Sequence, residues 1–233
     1  MTAADFDYSN VNERSRGPVL TVAGLVLRGV ARVQAQARPY AEAWRRDNLA
    51  ALAGTGPLWV ALGDSLTQGI GASSHDRGWV GQLRDRLATD GRRYRVVNLA
   101  VSGARTADVL DRQLPALAAL PEPQLVTLMI GSNDLLRPKY RRGLPERFAE
   151  ILTALPAGSV VTTMPNPARV AREVNRVVER LARERGLVIA ELRDPRMSSW
   201  RGKLADDHFH PNDAGYAGMA DLVGDALRID PNR

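Results

Sequence analysis

The chain has no cysteine and only three histidines, His75, His208 and His210. The first absence excludes disulfides, a thiol nucleophile and cysteine-ligated metals. The second leaves a zinc site unsupported, because no second histidine stands at helical ligand spacing. Lysine is nearly missing as well: Lys139 and Lys203 are the only two among 32 basic residues. The net charge of +6 and the pI near 10.2 therefore rest on arginine mixed with acids. No helix-turn-helix, zinc-finger or stacking-platform pattern accompanies that charge, so a nucleic-acid partner is not expected. Aromatic residues make up 5%, with 3 Phe and 5 Tyr, which argues against a large aromatic-lined lipid tunnel. No apolar run is long enough to span a bilayer: the stretch Pro18–Leu27 is cut off by Arg28. Gly69-Ile70-Gly71 lacks the further glycines or lysine of a phosphate-cradling loop. Nothing in the sequence calls for a metal or cofactor.

What is present is ordinary globular composition, 44% apolar and 25% charged over 233 residues, enough for one large α/β domain plus an extension. Residues 1–57 read as that extension, a polar tail over 1–16 followed by helix, with the main domain over 58–233. Val22, Val26, Val30, Val33 and Ala37 recur at spacings of four and three, one face of an amphipathic helix. Pro39 should end or kink that helix, or open a second one carrying Tyr40, Trp44 and Leu52. Packing on its own domain is the favoured role; peripheral membrane contact or self-association through residues 17–52 is the alternative. Ala35-Gln36-Ala37 imitates a signal-peptidase site. Arg28 and Arg32 interrupt the approach to it, and Asp5, Asp7 and Glu13 dilute the leading charge. A cleaved secretion signal is not expected, and a cytoplasmic location, with or without membrane association, is.

From Leu58 onward, short runs rich in Val, Leu and Ile alternate with helix-like stretches. The runs Leu58–Leu62, Arg95–Ala100, Leu125–Ile130, Ser159–Met164 and Leu187–Leu192 read as strands covered on both faces. Helical patterns fall at Trp79–Ala88, around Ala107–Leu120, and at Pro145–Leu155, Asn166–Arg185 and Asn212–Ile229, the last capped by Asn212 or Asp213. The arginine row from Arg169 to Arg183 is interleaved with Glu173 and Glu179, as a solvated outer face would be. Five strands alternating with helices imply a three-layer α/β/α sandwich around a five-stranded parallel sheet, with ligands at the carboxyl ends of the strands.

Three candidate groups then coincide in position. Ser65 lies three residues beyond Leu62, Gly103 three beyond Ala100, and Asn133 three beyond Ile130, so three runs deliver one group each to the same sheet edge. Each alone is weak, since Gly, Asp, Ser and Asn are common turn residues. His210, in Asp206-Asp207-His208-Phe209-His210-Pro211, supplies the base that a serine hydroxyl needs, with His208 as its competitor. Asp64, adjacent to Ser65, reads as a structural turn carboxylate rather than a base. Trp79, at the end of the loop after Ser65, is the expected apolar substrate-binding surface; Trp200 is a second choice, with a core or surface role as its alternative.

With those blocks in order, the chain resembles the SGNH subgroup of the GDSL esterase/lipase family. The family's four marker residues are matched by Ser65, Gly103, Asn133 and His210. The resemblance covers about residues 58–228 and implies the flavodoxin-like fold of that family. It further implies a Ser65–His210–Asp207 triad, with Asp206 a weaker substitute for the acid. It places an oxyanion hole at the Ser65 and Gly103 N–H groups and the Asn133 amide. Hydrolysis of small carboxylic esters with short or medium acyl chains is the expected activity. Acyl transfer and carbohydrate deacetylation are alternatives, and a binding module tethered through residues 17–52 is an alternative of another class.

Overall fold

The computed structural model describes residues 6–12 and 28–229. Five strands, β1 (Leu58–Gly63), β2 (Arg95–Asn98), β3 (Leu125–Met129), β4 (Val160–Thr162) and β5 (Val188–Ala190), form one sheet in the order β2-β1-β3-β4-β5. All four pairings are parallel. The chain winds outward from β1 to β2 and then returns past β1 to β3. The strand order therefore reverses beside β1, and folds of this kind hold their ligands at the carboxyl ends of the strands at such a point.

Helices α1 (Arg28–Ala35) and α2 (Ala37–Ala53) precede the sheet. A single turn, α3 (Ser65–Gln68), and then α4 (Trp79–Thr89) follow β1. The turn Thr106–Asp108 and a π-helical turn, Val109–Gln113, lead into α5 (Leu114–Ala119). Next come α6 (Ser132–Leu135), α7 (Pro138–Arg141), α8 (Leu144–Ala154) and α9 (Arg169–Arg185), and α10 (Asp213–Ile229) follows β5. Alternation along β1 explains the layers. Leu58, Val60 and Leu62 enter one core with α5, α8 and α9, while Trp59 and Ala61 enter the other with α4 and α10. Asn212, not Asp213, caps α10, its Oδ1 accepting from the N–H groups of Ala214 and Gly215. On α9 the arginines pair outward, Arg169 with Glu173 and Arg180 with Glu184, while Val174 and Val178 are buried.

The extension is built into this body. In α2, Pro39 sits in the first turn, where a missing N–H costs nothing, and Trp44 is 1% exposed with its Nε1–H on the Gln68 carbonyl. Truncating Trp44 to alanine would cost about 3–5 kcal/mol. Helix α1 buries Val33 and lies close to the backbone of Asp206, which Arg32 also meets as an ion pair at 2.5 Å. Val22 and Val26 of the expected stripe lie outside the described residues. The polar tail expected over residues 1–16 is not a loose end over residues 6–12: Phe6 and Tyr8 are buried in the core and Asn10 is 1% exposed. Two aromatic rings and a fully bonded amide outweigh the polar residues around them. Among the described residues no helix is long and apolar enough to cross a membrane.

Candidate active site

The sharp turn after β1 is possible because residue 63 is glycine. A Cβ there would collide with Thr67 Oγ1 and with the Met129 carbonyl oxygen. Gln113 clamps this glycine from the π-helical turn, its Oε1 accepting from the Gly63 N–H and its Nε2 donating to the Gly63 carbonyl, both at 2.8 Å. Asp64 then caps α3, its Oδ1 accepting from the Leu66 N–H at 3.0 Å. The chain thereby holds Ser65 as the first helical residue, 5% exposed.

His210 reaches it from 145 residues away in sequence: Nε2 lies 3.1 Å from Ser65 Oγ. Nδ1 lies 2.6 Å from Asp207 Oδ2. A carboxylate only accepts, so Nδ1 carries the proton and Nε2 is left free to accept from the serine hydroxyl. Burial alone would raise the Asp207 carboxyl, but the His210 ring and the N–H groups of Phe209 and His210 outweigh it and hold it below the usual carboxylate range. The short loop that achieves this puts His208 in a left-handed conformation (φ 54°) that non-glycine residues seldom adopt. His208 itself is exposed, and Asp206 is occupied by Arg32, so neither competes with His210 or Asp207 here.

The other two strand-end loops are laced to the first. Asn133 Nδ2 donates to the Ala104 carbonyl at 2.9 Å and to Asp64 Oδ2 at 3.3 Å, and Ser132 Oγ donates to the same Asp64 oxygen at 3.2 Å. Gly103 adopts a positive φ of 78°. Asp134, next in the chain, faces elsewhere. It is 1% exposed and turned away, accepting from the Thr106 N–H and hydroxyl and from Arg147. Burial raises its carboxyl above the usual range. Burial is also the main reason the Asp64 carboxyl is pushed up to about 6, against the pull of the Leu66 N–H, Ser132 and His210.

Trp79 is a correction. It is fully buried, packed against Trp59 with ring centroids 6.0 Å apart, and it offers substrate no surface. The loop before it is fastened through Gln36 and Tyr40 to the Ala72 carbonyl and through the His75–Asp47 contact at 2.7 Å, and its Gly71 packs against the His210 segment, where a Cβ would meet His210 Cβ at 2.8 Å. Trp200 is half-buried and instead lines an open groove of about 780 Å³ with Met164, Leu192 and Met197. Of its lining residues, Met164 packs against the turn before Asn133, where a Cβ on Gly131 would touch Met164 Cε at 2.8 Å.

Beneath the site lie uncharged amides that the sequence pattern does not announce: Asn10, Asn48, Gln68, Asn98 and Gln113, all 1% exposed or less. Asn98 Nδ2 donates to the Thr67 carbonyl and its Oδ1 accepts from the Ala100 N–H, tying β2 to α3. Gln68 Oε1 accepts from the Ser102 N–H. The available signal was a polar residue on an apolar pattern, Asn98 inside Val96–Ala100 and Asn48 one turn from Trp44. Among the described residues no group of three or more acidic or histidine side chains could hold a metal ion.

Comparison with known proteins places the chain in a family. The profile of the GDSL-like Lipase/Acylhydrolase family matches residues 61–217, more than half of the chain. Over 92 residues the chain is 40% identical to Esterase TesA of Pseudomonas aeruginosa, a match spanning 40% of this chain and 45% of that esterase. Among solved structures, that of TesA superposes with a TM-score of 0.60 at 27% identity, covering 73% of this chain and 98% of the other. AlinE4, an SGNH-hydrolase family esterase, superposes with a TM-score of 0.57 at 26% identity, covering 75% and 96%.

Proposed function

Because the chain belongs to the GDSL-like lipase/acylhydrolase family, we propose that it hydrolyses carboxylic esters through an acyl-Ser65 intermediate. The observation that carries this reading is the unbroken chain Ser65 Oγ, His210 Nε2, His210 Nδ1, Asp207 Oδ2, with links of 3.1 and 2.6 Å. As Oγ attacks the ester carbonyl, His210 takes its proton at Nε2, and the ionised Asp207 stabilises the imidazolium and fixes its orientation. The carbonyl oxygen becomes an oxyanion, received by the N–H groups of Ser65 and Gly103 and by Asn133 Nδ2. The Asn133 bond to Asp64 is long for a charge-assisted one, so this N–H is free to turn to a stronger acceptor. His210 then protonates the departing alcohol. A water molecule, deprotonated by the same nitrogen, releases the acid and restores Ser65.

Short or medium acyl chains are the substrates this reading favours, with the groove at Met164, Leu192 and Trp200 as the candidate acyl site because its Met164 packs against the Gly131 turn. A fluorophosphonate should label Ser65, and Ser65→Ala should abolish p-nitrophenyl acetate hydrolysis. Hydrolysis by the variant at the wild-type rate would refute the reading.

A further inference from the structure

Residues 6–12 lie outside the part of the chain that matches the family, yet they run along the loop that carries Gly103. Three alternate side chains face it, as an extended segment with a two-residue period requires. Tyr8 Oη donates to the Leu99 carbonyl at 2.6 Å, Asn10 Nδ2 to the Asn98 and Ala100 carbonyls at 2.8 and 2.9 Å, and Asn12 Nδ2 to the Ser102 carbonyl at 2.8 Å. The segment is also fastened to the serine's own turn, because Gln68 Nε2 donates to the Asn10 carbonyl at 2.9 Å.

The last contact of the three, that of Asn12, has the most direct chemical consequence. The Ser102 carbonyl and the Gly103 N–H are the two ends of one peptide unit, which is planar and trans. Fixing the oxygen fixes the direction of the N–H on the opposite side. A hydrogen bond to the carbonyl also polarises the unit and strengthens its N–H as a donor. Asn12 lies against Gly103 as well: a Cβ there would stand 3.0 Å from Asn12 Nδ2. Meanwhile Gln68 Oε1 holds the preceding N–H, that of Ser102, at 3.0 Å.

We propose that Asn12 is a positioning residue for ester hydrolysis, clamping the Ser102–Gly103 peptide so that the Gly103 N–H is aimed at the oxyanion. The segment 6–12 is on this account a strap that completes the oxyanion hole from outside the matched domain. The inference rests on the reading of Gly103 as an oxyanion donor.

The test uses the full chain with p-nitrophenyl acetate and a trifluoromethyl ketone as oxyanion mimic. Asn12→Asp keeps the size but removes the donor, and Asn12→Ala removes the amide. Both should lower kcat about 10-fold to 50-fold, short of the 10²–10³ that follows outright loss of a donor. KM should stay within about twofold, and the inhibition constant of the ketone should rise by the same factor as kcat falls. Tyr8→Phe, which removes a bond to a different peptide, should lower the melting temperature and leave kcat within about twofold. The proposal is overturned if the Asn12 variants turn over at the wild-type rate, or if Tyr8→Phe loses as much kcat as they do. Retained activity in Ser65→Ala would instead bring down the acyl-serine reading, and this inference with it.

Discussion

Asp64 is held where a carboxylate is costly, and replacing it by asparagine separates what it does for the fold from what it does for the site. Its carboxyl is fully buried and titrates at about 6 instead of 3.8. The folded chain thus holds this proton more tightly than the unfolded chain does, so stability falls as pH rises from 3.8 towards about 6. Above that window the full cost is present. The gap between 3.8 and about 6, at about 1.4 kcal/mol for each tenfold of proton affinity, is worth about 3 kcal/mol. The amide introduced by Asp64→Asn cannot ionise and carries no such dependence. Urea denaturation of both proteins from acid to neutral pH should show the variant gaining about 3 kcal/mol on the wild type across the window. The same substitution should slow catalysis. If the new amide oxygen keeps the cap to Leu66, the new amide nitrogen replaces the oxygen that lies 3.3 Å from Asn133 Nδ2, setting donor against donor. A fall in kcat of about tenfold is expected, less than for removal of the Asn133 donor itself. Parallel pH–stability curves for the two proteins would show that Asp64 carries no such cost, and an unchanged kcat would show that it does not hold Asn133.

Further expectations follow from the same contacts. Asp207→Asn should reduce kcat by about 10⁴ with little change in KM, as loss of the orienting carboxylate does in other serine triads, measured by steady-state hydrolysis. Since the Asp207 carboxyl is held low, its contribution to stability is present above 3.8 and is lost as pH falls below it, opposite in sign to Asp64. Gln113→Leu removes both bonds to the Gly63 backbone and leaves buried polar groups unmatched, which should cost about 2–4 kcal/mol in denaturant unfolding. Trp200→Ala should raise KM for longer acyl esters more than for acetate in a chain-length panel, while Trp79→Phe should lower the melting temperature and leave that preference unchanged.

The strands were legible because both their faces are buried, which writes unbroken apolar runs. Their ends were less so. The run Arg95–Ala100 stops as a strand at Asn98, whose side chain turns back to the Ala100 N–H. The stretch Asn166–Arg185 becomes helical only at Arg169, after Pro167 and an Asn166 side chain bonded to the Ala168 N–H. The π-helical turn at Val109–Gln113 is set by a bond from the Leu114 N–H to the Val109 carbonyl, just before Pro115, and no periodicity announces it. At the site, Ser65, Asp207 and His210, which the structure brings within hydrogen-bond distance of one another, stood out because they are reactive residue types at a strand end or before a helix. Trp79 misled because position after the serine says nothing about which way a ring turns, and a tryptophan is more often core. The strap of residues 6–12 was hidden by its polar composition. Its asparagines bond to backbone carbonyls, contacts that leave no hydrophobic pattern to read.

A covalent acyl-Ser65 would be trapped by rapid acid quenching of the wild-type chain during turnover of p-nitrophenyl acetate, followed by peptide mass analysis. A burst of p-nitrophenol and one acetyl group on the peptide bearing Ser65 are expected. Steady turnover with no burst and no acetyl on Ser65, or with the acetyl on another residue, would contradict that intermediate.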